Sequence, residues 1–160
     1  MDKETFTRAV EHYQNSIYRL ALHALGRPAD AEDVVQEVFL RLFRTDKPFD
    51  SEEHLRRWLL RVGSNLCRDI LKSPWRRRQA QLTDTIPAPA FEREDQRELY
   101  RAVMALEEKY RSVLYLFYYE DLPVREIAAL LSLGESAVTT RLSRGRAKLK
   151  AALKEGWQDE

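Results

Sequence analysis

Val124-Arg-Glu-Ile-Ala-Ala-Leu-Leu-Ser-Leu-Gly134, followed directly by Glu135-Ser-Ala-Val-Thr-Thr-Arg-Leu-Ser-Arg144, decides how this chain is read. Its apolar spacing predicts two short helices across a three-residue break. Ile127, Ala128, Leu131, Leu133, Val138 and Leu142 supply the contacts that fix two helices at a steep angle. Ala128 is small where the helices approach, and Gly134 stands where a helix start tolerates glycine. The outward face of the second helix offers Ser136, Thr139, Thr140, Ser143 and Arg144, side chains able to bond base edges or phosphates in a major groove. An ordinary helical hairpin has the same apolar spacing, and the charges separate the two readings. From Ser136 to Lys154 there are six basic residues (Arg141, Arg144, Arg146, Lys148, Lys150, Lys154) and no acid, which favours DNA.

The formal net charge of +1 over 160 residues says nothing about polyanions, but its distribution does. Between His54 and Arg78 stand eight basic residues (Arg56, Arg57, Arg61, Arg68, Lys72, Arg76, Arg77, Arg78) against Asp69 alone. Solvated helix faces usually mix both signs, so two basic stretches predict two polyanion contacts. Cys67 is the single cysteine, which excludes an internal disulfide and fits a reducing cytosol. His12, His23 and His54 lack partners at ligand spacing, so no metal and no cofactor is expected. Met1-Asp-Lys-Glu4 runs straight into an amphipathic pattern, without the apolar core of a signal peptide or a spanning segment. A cytoplasmic protein with no membrane insertion is expected.

Phe6, Val10, Tyr13, Ile17, Leu20, Ala21 and Ala24 predict a helix over about residues 3–25, ended by Gly26 and Pro28. Asp30 is expected to cap a second helix, with Glu32 and Asp33 in its first turn and Val34, Val35, Val38, Phe39 and Leu42 inward. Asp46 to Asp50 marks a loop. Ser51 begins a third helix with Leu55, Trp58, Leu59, Val62, Leu66 and Ile70 inward. Pro74, Pro87 and Pro89 bound about 20 residues without helical period, a stretch long enough to read as an interdomain linker. Leu99, Val103 and Leu106 then mark one helix, and Val113, Leu114, Leu116 and Phe117 another, before the helix-turn-helix. The expected fold is all-α: two small helical domains, residues 1–73 and 94–160, joined by a flexible linker over 74–93, with the helix-turn-helix in the second.

Four anchors now carry a resemblance: Asp30-Ala-Glu-Asp-Val-Val-Gln-Glu-Val-Phe39, Leu55-Arg-Arg-Trp-Leu-Leu-Arg-Val-Gly-Ser-Asn65, Tyr110-Arg-Ser-Val-Leu114, and Glu126-Ile-Ala through Arg141-Leu142. Together they resemble, over nearly the whole chain, the extracytoplasmic-function class of bacterial RNA polymerase sigma factors. The resemblance implies a factor that binds core RNA polymerase and directs it to promoter DNA. It implies that Asp33, Gln36, Glu37 and Leu40 hold the coiled-coil clamp of the largest polymerase subunit. Residues that merely keep a helix soluble look the same.

The resemblance further implies that the loop after Thr45 and the helix beyond it read the melted minus-ten element. There Arg57, Arg61 and Arg68 hold phosphates, Asn65 bonds a base edge, and Phe49 either walls a pocket for an extruded base or closes the core. Trp58 reads mainly as core. Few exposed aromatics on this helix imply limited melting power and a strict promoter preference.

In the second domain Ser136, Thr139, Thr140, Ser143 and Arg144 would read the minus-thirty-five element, with Arg141 and Arg146 as phosphate clamps. The aromatic stretch Val113 to Tyr119 would meet the flap of the second-largest subunit, or simply pack. Two departures stand out: Thr139 where a basic residue is frequent, and Ser132 where glycine is frequent, with Gly134 expected to compensate. The family is often restrained by an anti-sigma factor, commonly membrane-anchored. Two rivals remain. An autonomous helix-turn-helix regulator binding an operator as a dimer explains residues 94–154 and leaves Asp30 to Asn65 unused. An enzyme would need a nucleophile constellation, phosphate loop or metal pattern that the sequence lacks.

Overall fold

The computed structural model describes residues 1–74 and 94–158, and the side chains of 1–74 and 96–154. Among the described residues all regular structure is helical. The chain divides into two compact units, Met1–Asp84 and Thr85–Glu160. Of the linker expected over 74–93, all but Pro74 lies outside the described residues.

The first unit packs α1 (Lys3–Leu25), α2 (Pro28–Phe43) and α3 (Glu52–Lys72) around Ile17, Leu20, Val34, Val38, Leu42, Leu59 and Leu60, each almost wholly buried. Asp2 caps α1 by accepting from the Thr5 amide at 2.7 Å, which holds its carboxyl below the usual range. Gly26 ends the helix at φ 73°, the left-handed conformation glycine adopts without a Cβ penalty, and its N–H donates to Leu22 O.

Asp30 does not cap α2. The helix starts at Pro28, whose ring fixes a helical φ and whose missing N–H is no loss at a first position, so Asp30 falls within the first turn.

The buried face of α3 also differs from expectation. Leu55 and Leu59 are buried as expected, but Leu60, Gly63, Ser64 and Cys67 complete the face, and Trp58, Val62, Leu66 and Ile70 flank it half-buried. The reason is close approach. A Cβ on Gly63 would lie 3.1 Å from Leu20 Cδ2 and 3.7 Å from Ile17 Cγ2, so Gly63 marks where α3 crosses α1.

The second unit comprises α4 (Glu94–Met104), α5 (Glu108–Leu114), a π-helical turn (Tyr115–Tyr119), α6 (Val124–Leu131) and α7 (Glu135–Gln158). Val113, Leu116, Ile127, Val138 and Leu142 form its centre. Leu130 is buried there too, whereas Leu131 and Leu133 are half-buried. Leu99, expected on an inward stripe, is 45% exposed. The expected helix through Phe117 loses its α register at Tyr115, and the wider turn leaves Tyr118 and Tyr119 outside.

The break between α6 and α7 spans Ser132 to Gly134 as expected. Ser132 takes the left-handed conformation, φ 55° and ψ 46°. Gly134 does not compensate. Among the described residues the positive-φ positions are Gly26, Asp121 and Ser132, so Gly134 uses none of glycine's freedom where the turn needs it.

Candidate functional site

Three exposed helical faces carry the candidate residues. On α2, Ala31, Val34, Val38, Phe39 and Leu42 turn inward and leave Asp33, Gln36, Glu37 and Leu40 outward. Leu40 is 42% exposed amid these polar neighbours. Glu37 Oε1 accepts from Arg41 Nε at 3.0 Å, an exposed pair that stabilises little and can be exchanged for another cation. Phe43 extends the apolar part of this face, half exposed and edge-on to Phe6 at 5.2 Å. Sequence reasoning missed it, although its place one residue beyond the inward Leu42 was a usable signal.

The second face is built from the α2–α3 loop and α3. Ser51 Oγ caps the helix by accepting from the His54 amide at 3.1 Å, and the Asp50 amide donates to His54 Nδ1 at 3.0 Å. Phe49 lies edge-on to His54 at 5.2 Å and to Trp58 at 5.6 Å, so the half-buried loop aromatic rests on the helix flank. Tyr13 of α1 reaches the same place, its hydroxyl donating to Glu52 Oε2 at 2.9 Å. Burial, then this bond to a carboxylate, pushes the Tyr13 hydroxyl up to about 12.

Along α3, Arg57, Arg61, Asn65 and Arg68 are spaced by four, four and three residues, which places them on one stripe opposite the buried face. Arg57 Nε and Arg56 Nη1 both lie 3.2 Å from Glu53 Oε1. Arg68 Nη2 donates to Asn65 Oδ1 at 3.0 Å, a contact that spacing alone does not reveal. Arg76, Arg77 and Arg78, counted in the same basic stretch, lie outside the described residues.

The third face is the outer side of α7. Val138, Leu142 and Gly145 turn inward, and Ser136, Thr139, Thr140, Ser143 and Arg144 are exposed together. Thr139 Oγ1 donates to Glu135 O at 3.0 Å, so its hydroxyl meets a ligand as an acceptor. Arg141 and Arg146 sit on the flanks of the reading stripe. Arg141 is half-buried in the charge environment of Glu108, whose carboxyl is raised by burial and pulled back by Arg111, Arg141 and Lys109. Arg146 lies over the rings of Phe117 at 5.9 Å and Tyr118 at 5.8 Å.

Tyr118 and Tyr119 are 59% and 58% exposed, and Tyr118 lies beneath the Arg146 guanidinium. Below them Tyr115 stacks on Tyr119 at 5.3 Å and donates to the buried Glu120 carboxylate at 2.7 Å.

Among the described residues no three His, Cys, Asp or Glu gather as metal ligands, and no helix is long and apolar enough to cross a membrane. The arrangement suits binding: a mixed apolar and acidic face, then two basic faces carrying amide and hydroxyl groups.

Comparison with known proteins assigns a family to the chain. Residues 9–77 match the family model of Sigma-70 region 2, and residues 96–149 match that of Sigma-70, region 4. The chain is 30% identical to the ECF RNA polymerase sigma factor SigW of Bacillus subtilis (strain 168), over 96% of this chain and 91% of that protein. Among solved structures, CnrH in complex with the cytosolic domain of CnrY superposes with a TM-score of 0.61 at 25% identity, covering 96% of this chain and 90% of that one. The fold is shared with the sigma factor RpoE in complex with the anti-sigma factor NepR from Bartonella quintana, with a TM-score of 0.72 at 19% identity over 94% and 98% of the two chains.

Proposed function

We propose that the three faces divide the work of initiation in this chain, which belongs to the ECF class of RNA polymerase sigma factors. As a sigma factor it binds core RNA polymerase and directs promoter-specific transcription initiation. Residues 1–73 serve clamp binding and the minus-ten element, and residues 94–160 the minus-thirty-five element, with 74–93 linking them.

On α2, Asp33, Gln36, Glu37 and Leu40 form the clamp contact. Leu40 is the apolar anchor, and the Glu37–Arg41 pair offers a carboxylate to the incoming partner. On the second face an extruded base lies near Phe49 and Asn65, while Arg57, Arg61 and Arg68 neutralise the strand's phosphates. On α7, Ser136, Thr139, Thr140, Ser143 and Arg144 face base edges in the major groove, with Arg141 and Arg146 toward the backbone. The chain works by binding and positioning, with no covalent step of its own. An anti-sigma factor, the kind of partner named for RpoE, restrains this chain too.

The observation that carries this reading is the exposed face of α2 together with two basic readers in separate units. A dimeric operator-binding regulator has no use for the α2 face. Size exclusion with purified core polymerase tests the choice: co-elution, weakened by Glu37→Lys without loss of helicity, supports it. A DNA-binding homodimer indifferent to polymerase overturns it.

A further inference from the structure

Arg68 Nη2 lies 3.0 Å from Asn65 Oδ1 on the outward stripe of α3. A guanidinium only donates, so the amide atom it faces is fixed as oxygen and the NH2 group is turned away. Freed from this contact, an asparagine presents one acceptor and one donor side by side, the combination that matches adenine's N6 and N7. With Arg68 in place the pair presents a different edge. Asn65 Oδ1 keeps a second lone pair, but a base donor brought to it meets the positive guanidinium already donating there, while the other groups of the pair are N–H donors.

We propose that Arg68 is a positioning residue that aims the Asn65 NH2 group at the strand and so makes Asn65 chiefly a donor, selecting a keto base (guanine or thymine) over an amino base (adenine or cytosine) at one position of the melted strand. The inference rests on the reading of Asn65 as a base contact, specifies what that contact selects, and gives Arg68 a positioning role in place of a phosphate contact. Guanine O6 and thymine O4 are acceptors where adenine and cytosine carry amino groups, so an amide NH2 aimed at that exocyclic position separates the two classes. Arg61, one turn earlier on the same stripe, adds positive charge and no competing acceptor.

The test uses holoenzyme reconstituted with core polymerase and promoters carrying a premelted bubble. Each of the four bases is placed at each non-template position, and run-off initiation is measured. Asn65→Ala first identifies the position it reads, by flattening the base preference there. At that position the wild type favours keto over amino bases by roughly tenfold, within the range of one good base contact. Arg68→Met brings that ratio close to one, with adenine gaining most, and Arg68→Lys restores it because an ammonium still donates to the amide oxygen.

The proposal is overturned if the wild type favours adenine or cytosine there. It is equally overturned if Arg68→Met weakens all four bases by one factor with the preference intact, the behaviour of a phosphate clamp. If Asn65→Ala flattens no position, the underlying reading of Asn65 fails together with the proposal.

Discussion

In α3 the glycine at the helix crossing faces the end of a side chain, since a Cβ on Gly63 would lie 3.1 Å from Leu20 Cδ2. In α7 the equivalent glycine faces something stiffer. A Cβ on Gly145 would lie 3.2 Å from Leu114 Cδ1 and 3.3 Å from Tyr110 Cβ, an atom fixed to its backbone. The entrances differ in the opposite sense. Three contacts hold the start of α3: the Ser51 cap, the Asp50 amide on His54, and the Tyr13 bond to Glu52. The start of α7 follows a serine held at φ 55°, with Gly134 ahead of its first turn. The first reader is therefore fixed at its entrance, and the second at its crossing.

The largest expected effect breaks the second arrangement at its crossing. Gly145→Val forces branched carbon into Tyr110 and Leu114 and should destabilise the second unit by about 2–3 kcal/mol, as overpacking does. Gly63→Ala should cost much less, because only the end of the Leu20 side chain must shift by a few tenths of an ångström and alanine gains about 0.8–1 kcal/mol of helix propensity over glycine. Urea denaturation followed by circular dichroism measures both. A Gly63→Ala variant destabilised as much as Gly145→Val would erase the difference between the two crossings.

The comparison sharpens at the faces themselves. On α3 the base-edge candidate Asn65 is already engaged by Arg68, whereas on α7 Arg144 stands exposed beside Thr140 and Ser143. Arg144→Ala should relax preference at one base pair of the minus-thirty-five element by about 1–3 kcal/mol, the worth of a bidentate guanine contact. Arg141→Ala should weaken all sequences by one factor and lower the salt slope. Binding across single-base promoter variants at several salt concentrations distinguishes them. An unchanged preference profile in Arg144→Ala makes Arg144 a phosphate clamp.

A smaller effect is expected at the entrance of α3. Tyr13→Phe removes the bond to Glu52 and should cost about 0.5–1.5 kcal/mol. The pH dependence follows from the direction of the shift. The folded state holds the Tyr13 proton more tightly than the ordinary value of 10, up to about 12. That extra stability is complete below pH 10 and lost as pH rises from 10 toward about 12. The gap between wild type and Tyr13→Phe should therefore narrow over that window in denaturation midpoints taken at stepped pH. A gap that stays constant would mean the hydroxyl contributes only packing.

How much of this was legible follows the same physics. Large apolar residues at helical period located α1, α2 and the α6–α7 pair, because burial of big side chains sets those faces. The exposure of Asp33, Gln36 and Leu40 on α2 and of Ser136, Thr140, Ser143 and Arg144 on α7 follows from those stripes. The face of α3 was misplaced because Gly63, Ser64 and Cys67 carry little apolar signal, although small residues are what a close crossing needs. Which aromatics of the stretch Val113 to Tyr119 stay outside was hidden by the π-helical turn, whose register no α-helical template contains. The Arg68–Asn65 and Tyr13–Glu52 bonds depend on rotamers and on packing between helices, which residue order does not encode by itself.

The smallest expected effect repairs the entrance of α7. Ser132 closes α6 in the left-handed region, its amide donating to Ala128 O, while the Leu133 amide also turns back to Ala128 O at 2.9 Å. A side chain in that conformation is disfavoured by about 1–2 kcal/mol, because Cβ crowds the following carbonyl oxygen. Glycine removes the crowding but adds freedom to the unfolded chain, which returns roughly half of the gain. Ser132→Gly should thus stabilise the second unit by about 0.5–1 kcal/mol while leaving the exposed face of α7 and its base preference unchanged. Ser51→Gly should do the reverse to the first unit, because there the serine hydroxyl accepts from His54 N and its loss costs a few tenths of a kcal/mol. Paired urea titrations of the two variants compare the entrances directly. A Ser132→Gly variant less stable than wild type would mean that the serine side chain holds the turn by more than its backbone strain costs, and the two entrances would then be alike.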